Sequence, residues 1–220
     1  MNENELELYL KPTYYLDFDD LKLQEYALKL VEGISDPIEK AKIVYFAVRD
    51  KWRYNPYNIN LSPEVMKASS IFGRKLREGY CVEKACLLGA IGRAVGIPTR
   101  FFFCDVRNHI GVENLIKVLK TDVLVFHGGV EMYLNGKWVK ATPAFNEELC
   151  RYLNVKPLDF NGKEDSIFQQ YDETGDQFME YLKDHGIFSD IPHDKFVEEL
   201  HKAYPHFFAD GEGMAFQKFL

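Results

Sequence analysis

The sequence predicts an α+β fold, helices packed on an antiparallel sheet, and three observations predict it. Small and apolar residues recur at helical spacing from Cys81 to Val95, and Gly96-Ile97-Pro98 closes the run with a C′ glycine and a stop proline. Directly after it, Arg100-Phe101-Phe102-Phe103-Cys104-Asp105-Val106 has the aromatic and β-branched content of a strand. Val123 to Leu134 and Lys137 to Ala141 then read as two strands joined by Asn135-Gly136, the dipeptide that type I′ hairpins favour.

Along the chain, Leu21, Tyr26, Ala27 and Leu30 share a helical stripe ended by Gly33, so residues 1–35 are expected to form a helical N-terminal arm. Asp36-Pro37 supplies an N-cap and an N1 proline for a second helix reaching about Lys51, and Trp52 to Pro56 reads as extended chain entering a turn. Gly89 and Gly92 cost propensity inside the helix led by Cys81, which predicts a close neighbour there, most simply a sheet. A short helix is expected from Val112 to Leu119. If Leu134 opposes Lys137 in the hairpin, Val130, Met132, Leu134, Val139 and Ala141 share an apolar, core-facing side. His127, Glu131, Tyr133, Trp138, Lys140 and Thr142 then share the other, with His127 opposite Ala144 and Gly129 opposite Thr142. Residues 36–146 are expected to form the core. Residues 147–220 form a C-terminal helical appendage, with helical patterns near Phe178 to His185 and His193 to Tyr204.

Composition narrows the function classes. The 220 residues are 46% hydrophobic and 15% aromatic, which excludes a disordered chain. With 27 Lys+Arg against 34 Asp+Glu, the net charge of −7 argues against nucleic acid as a partner. Four cysteines, Cys81, Cys86, Cys104 and Cys150, lack paired C-x-x-C spacing, so neither a disulfide scaffold nor a zinc site is implied, and no cofactor is expected. No basic and apolar leader opens the sequence and no window approaches 18 apolar residues, so a cytoplasmic protein with no membrane partner is expected.

Among residues able to do chemistry, Cys81 stands at the first turn of a helix, where the macrodipole and free N–H groups favour thiolate at neutral pH. His127, with Gly128-Gly129 leaving space around it, suits a general base beside a thiol. Taken alone, each residue type is more often structural. His109, His185, His193, His201 and His206 lie in loops or polar helices and are expected to be solvated or locally bonded. Cys86, rotated off the Cys81 face, Cys104 and Cys150 are expected to pack; Glu83 and Lys84 read as a solvated first turn, and Arg100 as a structural ion pair.

Together, Gly79-Tyr80-Cys81-Val82-Glu83-Lys84-Ala85-Cys86, Arg93-Ala94-Val95-Gly96-Ile97-Pro98-Thr99-Arg100 and His127-Gly128-Gly129-Val130 through Gly136-Lys137-Trp138 resemble the transglutaminase-like superfamily, the papain-related cysteine acyl-transfer enzymes. Val48 to Tyr54 is also similar to the stretch that precedes the cysteine in bacterial members. The resemblance covers about Asp36 to Asn146. It implies a Cys81 thiolate that attacks a carbonyl, His127 as proton shuttle, a peptide or protein substrate, and peptidase, amidase or transglutaminase-like activity. The Cys81 N–H would be one oxyanion donor, and Trp52 or Tyr54 would supply a second or line the cleft.

The sequence departs from the family at the third catalytic position. Where members usually place Asp-Pro fifteen residues after the histidine, this chain has Thr142-Pro143. Thr142 would orient the imidazole without supplying charge, with Asn146 or, more distantly, Asn108 as other orienters. The departure also motivates a second reading, a catalytically degenerate module that holds a peptide or protein partner. A third, an arylamine-type acyltransferase, needs an acyl-CoA site that the sequence does not announce.

Overall fold

The computed structural model describes residues 3–109, 113–167, 171–172 and 174–208. Helix α1 (Glu3–Glu7) leads to α2 (Leu21–Leu30), whose N-cap Asp20 accepts from Leu23 N–H, and α3 (Pro37–Lys51) starts behind N-cap Asp36 with Pro37 in its first turn. Two short strands, β1 (Arg53–Tyr54) and β2 (Glu78–Gly79), lie parallel on either side of α4 (Ala68–Phe72) in sequence. There follow α5 (Cys81–Ala94), β3 (Thr99–Asn108), α6 (Glu113–Leu119), β4 (Val123–Leu134), β5 (Lys137–Ala141) and α7 (Glu147–Tyr152). The described chain closes with β6 (Met179–Phe188), α8 (His193–Ala203) and a 3₁₀ turn at Pro205–Phe207.

The main sheet is antiparallel with strand order β5-β4-β3-β6. Helix α5 lies between this sheet and α2, α3 and α4. Every residue from Val82 to Arg93 is buried, which is why the helix is apolar nearly all round. Its glycines admit the sheet: a Cβ on Gly89 would stand 2.6 Å from Phe101 Cζ, and one on Gly92 would stand 2.7 Å from Thr99 Cγ2.

The hairpin has the expected register, Leu134 opposite Lys137 through Val130 opposite Ala141, and its apolar side is buried. Pairing ends at Ala141, however, so His127 lies opposite Cys104 of β3 and has no β5 partner. A larger correction concerns the C-terminal segment, which is not purely helical. The stretch near 178–185, expected as helix, is strand β6, antiparallel to β3. Strand identity there comes from the neighbour: β3 is an aromatic strand whose open edge needs a hydrogen-bonding partner, and tertiary pairing overrides a weak local pattern. Helix α8 packs on β4, and among the described residues no helix is long and apolar enough to cross a membrane.

Candidate active site

Cys81 is placed by its neighbours in the chain. Tyr54 pairs with Gly79, Asn55 N–H donates to Gly79 C=O at 3.1 Å, and Tyr80 adopts the extended conformation of an N-cap. The Glu83 carboxylate accepts from Tyr80 N–H and pairs with Arg74. Cys81 is therefore the first residue of α5, half-buried, and the N–H groups of Cys81, Val82 and Gly128 all favour its thiolate by hydrogen bonding.

His127 is placed by an irregularity. Between Cys104 and Val106, β4 carries one residue more than β3, a β-bulge, and Phe126 takes φ +61°, a region that favours glycine. Strand β6 bulges beside the same point, with Gly186 opposite Phe103 and Asp184 opposite Cys104, so that His185 is the extra residue. Asp105 lies between the two bulges. Its Oδ1 accepts from Phe126 N–H at 2.9 Å and stands 2.6 Å from His185 Nε2. One carboxylate oxygen thus ties both bulges, immediately before His127 and the Gly128 N–H that meets the thiol. Gly128 permits that approach, since a Cβ there would stand 3.3 Å from Val82 Cα and 2.9 Å from the Phe103 ring.

Protonation differs from the sequence expectation. Burial pushes the Cys81 thiol up to about 11, outweighing its three N–H donors, and pushes the His127 imidazole down to about 4. At pH 7 the resting pair is neutral thiol and neutral imidazole, not a preformed thiolate. The helix start is present as expected, but desolvation is the larger effect.

The other expected site residues divide. Tyr54 lines the cavity beside Cys81, whereas Trp52 is fully buried against Tyr26 and Phe72 and belongs to the core. Thr142 is buried, and its Oγ1 makes no hydrogen bond among the described residues, so it does not hold the His127 ring. Asn146 has another role, because its Oδ1 accepts from Tyr54 N–H at 3.0 Å and fixes the segment beside Gly79. Asn108 is buried at the end of β3. Glu83 and Lys84, expected in solvent, are 1% and 0% exposed. Lys84 Nζ donates to Arg49 C=O at 2.9 Å, and burial pushes its ammonium down to about 7. Arg100 forms the expected ion pair, with Glu131. His185, expected to be solvated or locally bonded, is buried and bonded to Asp105 from far along the chain.

Sequence reasoning missed three features: the burial of Lys84, the Asp105–His185 pair, and the part that α8, itself expected as a helix, takes in lining the cavity. An ionisable residue inside the apolar run Phe101 to Val106 was a signal for the second. No local signal placed α8, because Phe196, Leu200 and Tyr204 reach the site from far along the chain.

A cavity of about 50 Å³ opens beside Cys81, walled by Tyr54, Tyr80, Leu124, Phe126 and Leu200 among others, and its described lining contains no charged residue. A second, of about 370 Å³, shares Tyr54, Pro56, Leu115 and Leu124 with it and adds Asn55, Asn108, Glu113 and Asn114. Among the described residues no three His, Cys, Asp or Glu side chains converge as a metal site would need. The arrangement offers a thiol with backbone N–H groups around its sulfur, one of them from Gly128, the residue after His127 on the strapped strand.

A family model described as the transglutaminase-like superfamily matches residues 24–143, over half the chain. No curated protein matches. Among solved structures, a provisionally assigned cysteine protease from Cytophaga hutchinsonii is 20% identical with a TM-score of 0.50, and the match covers 84% of this chain and 55% of that one. Red sea bream transglutaminase is 16% identical (TM-score 0.41; 64% and 32% covered). An arylamine N-acetyltransferase from Mycobacterium abscessus is 18% identical (TM-score 0.40; 61% and 46% covered). The first likeness is one of fold, and the chain spans about half or less of each of these proteins.

Proposed function

The chain belongs to the transglutaminase-like superfamily, and from that premise we propose that it is a cysteine-dependent acyl-transfer enzyme acting on an amide or ester carbonyl of a peptide or protein substrate. The observation that carries the proposal is the seating of Cys81 at the start of α5, with the Gly128 N–H, next in sequence to His127, bonded to its sulfur.

The chemistry follows from the neutral pair. His127 takes the thiol proton while the N–H groups of Cys81, Val82 and Gly128 favour the emerging thiolate; as sulfur bonds to the carbonyl carbon the negative charge passes to the carbonyl oxygen, for which the Cys81 N–H is the nearest candidate donor. The carbonyl–leaving-group bond breaks, the leaving group takes the proton from His127, and a thioester remains on Cys81. Water or an amine then attacks the thioester and regenerates the thiol. Because the imidazole acts in its neutral form and titrates near 4, the acid limb of the pH–rate profile is expected near pH 4 to 5, well below the ordinary histidine value.

The experiment is acylation by an activated ester, with 4-nitrophenolate release and intact mass as readouts. Wild type is expected to carry one acyl group on Cys81 at pH 7. Cys81→Ala and His127→Ala are expected to lose roughly a hundredfold or more in rate, the lower range of a general-base contribution. Unchanged release by Cys81→Ala would remove the enzyme reading. The second reading, a binding module, is favoured by Thr142 standing at the family's aspartate position with its hydroxyl bonded to no described group. It gains support if Cys81 stays unacylated while a peptide partner still binds.

A further inference from the structure

We propose that the cavity beside Cys81 is an acyl pocket that selects a short, uncharged aliphatic group, roughly three to five heavy atoms long, as the acyl end of the substrate. This rests on the acyl-transfer reading above and adds the substrate class to it.

Size sets the upper limit. Each water-sized centre occupies ~10–15 Å³, so about 50 Å³ accommodates roughly three to five atoms. The walls are held. Tyr204 Oη donates to Val123 C=O at 2.8 Å and accepts from Val125 N–H at 2.9 Å, fastening the end of α8 to β4 on the cavity's rim. Phe126 is locked by Asp105 through its N–H and stacks on Phe103 and against Phe196. A longer acyl chain would meet rings and branched side chains with few free rotamers.

Chemistry sets the class. The described lining is Tyr, Pro, Ile, Val, Leu and Phe beside the thiol, with no Lys, Arg, Asp, Glu, Asn or Gln. A carboxylate or carboxamide entering it gives up water and meets mostly carbon, with tyrosine hydroxyls as the polar side-chain groups of the described lining besides the thiol, whereas each buried methylene gains about fourfold in binding. The adjoining cavity of about 370 Å³ is mixed in character, with Asn55, Asn108, Glu113 and Asn114 among apolar and aromatic walls. The two share the Tyr54, Pro56, Leu115 and Leu124 wall. A substrate with an apolar acyl end and a larger polar leaving part fits the pair of cavities, with the reacting carbonyl at Cys81.

The test is a series of 4-nitrophenyl esters from acetyl to decanoyl, with the hemisuccinate as a charged chain of butyryl length, using the full chain. Sulfur attacks the ester carbonyl, nitrophenolate leaves, the thiol proton passes through His127 to solvent, and the thioester on Cys81 is counted by mass. Acylation is expected to rise about fourfold per methylene to four or five carbons, to fall at longer chains, and to be at least tenfold slower for the hemisuccinate than for butyryl. Leu200→Ala is expected to move the optimum two or three carbons longer. Should that variant fail to fold, the wild-type profile decides alone.

N-acetyl-valyl and N-acetyl-glutaminyl aminocoumarin amides then separate the sources of such a group: turnover of the valyl amide alone assigns an amino-acid residue, and ester preference without it assigns a free acyl chain. A flat chain-length profile with Cys81 still acylated, or equal rates for hemisuccinyl and butyryl, overturns the pocket and leaves the acyl-transfer reading standing. Absence of any Cys81 acylation overturns both.

Discussion

At the scale of single residues, the chemistry turns on what burial does to two titratable groups. A helix N-terminus lowers a thiol's pKa and an apolar surround raises it; around Cys81 the second wins, and the thiol reaches about 11. His127, held near 4, is a weak base but is neutral across the physiological range. A carboxylate beside it would strengthen it, and the family position for that carboxylate holds Thr142. Thr142→Asp is therefore expected to move the acid limb upward from pH 4 to 5 and to raise acylation at least tenfold, part of the ~10⁴ that a triad carboxylate contributes. It should also lower the melting temperature, because a charge enters a buried position. The pH–rate profile checks this, and an unmoved acid limb would mean that position 142 lies outside the imidazole's reach. Cys81, His127 and the odd residue at 142 were all legible in the sequence. The state of the proton was not, because desolvation depends on what packs over the pair.

Among the elements, β4 illustrates how a strand carries a site by departing from regularity. A continuous ladder would keep residues 124 to 127 in step with β3. The bulge instead inserts one residue, turns Phe126 into left-handed space, and needs an acceptor for its N–H. Asp105 supplies it and at the same time takes His185 from the bulge of β6. Asp105→Ala leaves two buried donors unsatisfied, at ~1–3 kcal/mol each, so a loss of about 2–6 kcal/mol is expected in urea unfolding, together with slower Cys81 acylation. Asp105→Asn keeps an oxygen at the position that meets both Phe126 N–H and His185 Nε2, so much of both should return. A loss under about 1 kcal/mol for the alanine variant would show that the bulges stand without the strap. The hairpin register and the glycine-lined contact of α5 with β3 were readable from alternation and spacing. The bulge was not, because Asp105 and His185 are 80 positions apart.

For the whole molecule, the described C-terminal segment is a structural part of the site as well as of the sheet. Strand β6 completes the edge of β3, and α8 with its C-cap Tyr204 supplies Phe196, Leu200 and the Tyr204 ring to the cavity beside the thiol. Near the N-terminus of α5 the packing of α3 buries Lys84, and its titration writes itself into global stability. The folded-state value of about 7 lies below the ordinary 10.5. Between these values the unfolded chain holds a proton that the folded chain lacks, so stability rises with pH. From pH 7 to 9 the rise from this group is expected to be roughly 2 kcal/mol. Lys84→Met should abolish that part of the slope, which urea unfolding at pH 7, 8 and 9 measures; an unchanged slope would assign it elsewhere. By itself the sequence determined the α+β class, the helix led by Cys81, the hairpin and the family, because these are written in local periodicity, capping and motif spacing. Only the tertiary structure decided that β6 is a strand, that Lys84 is buried, that Asn146 serves Tyr54, and that burial pushes the Cys81 thiol up and the His127 imidazole down, with Cys81 on a small apolar cavity. Each of those depends on contacts between distant segments, and on the loss of water they impose.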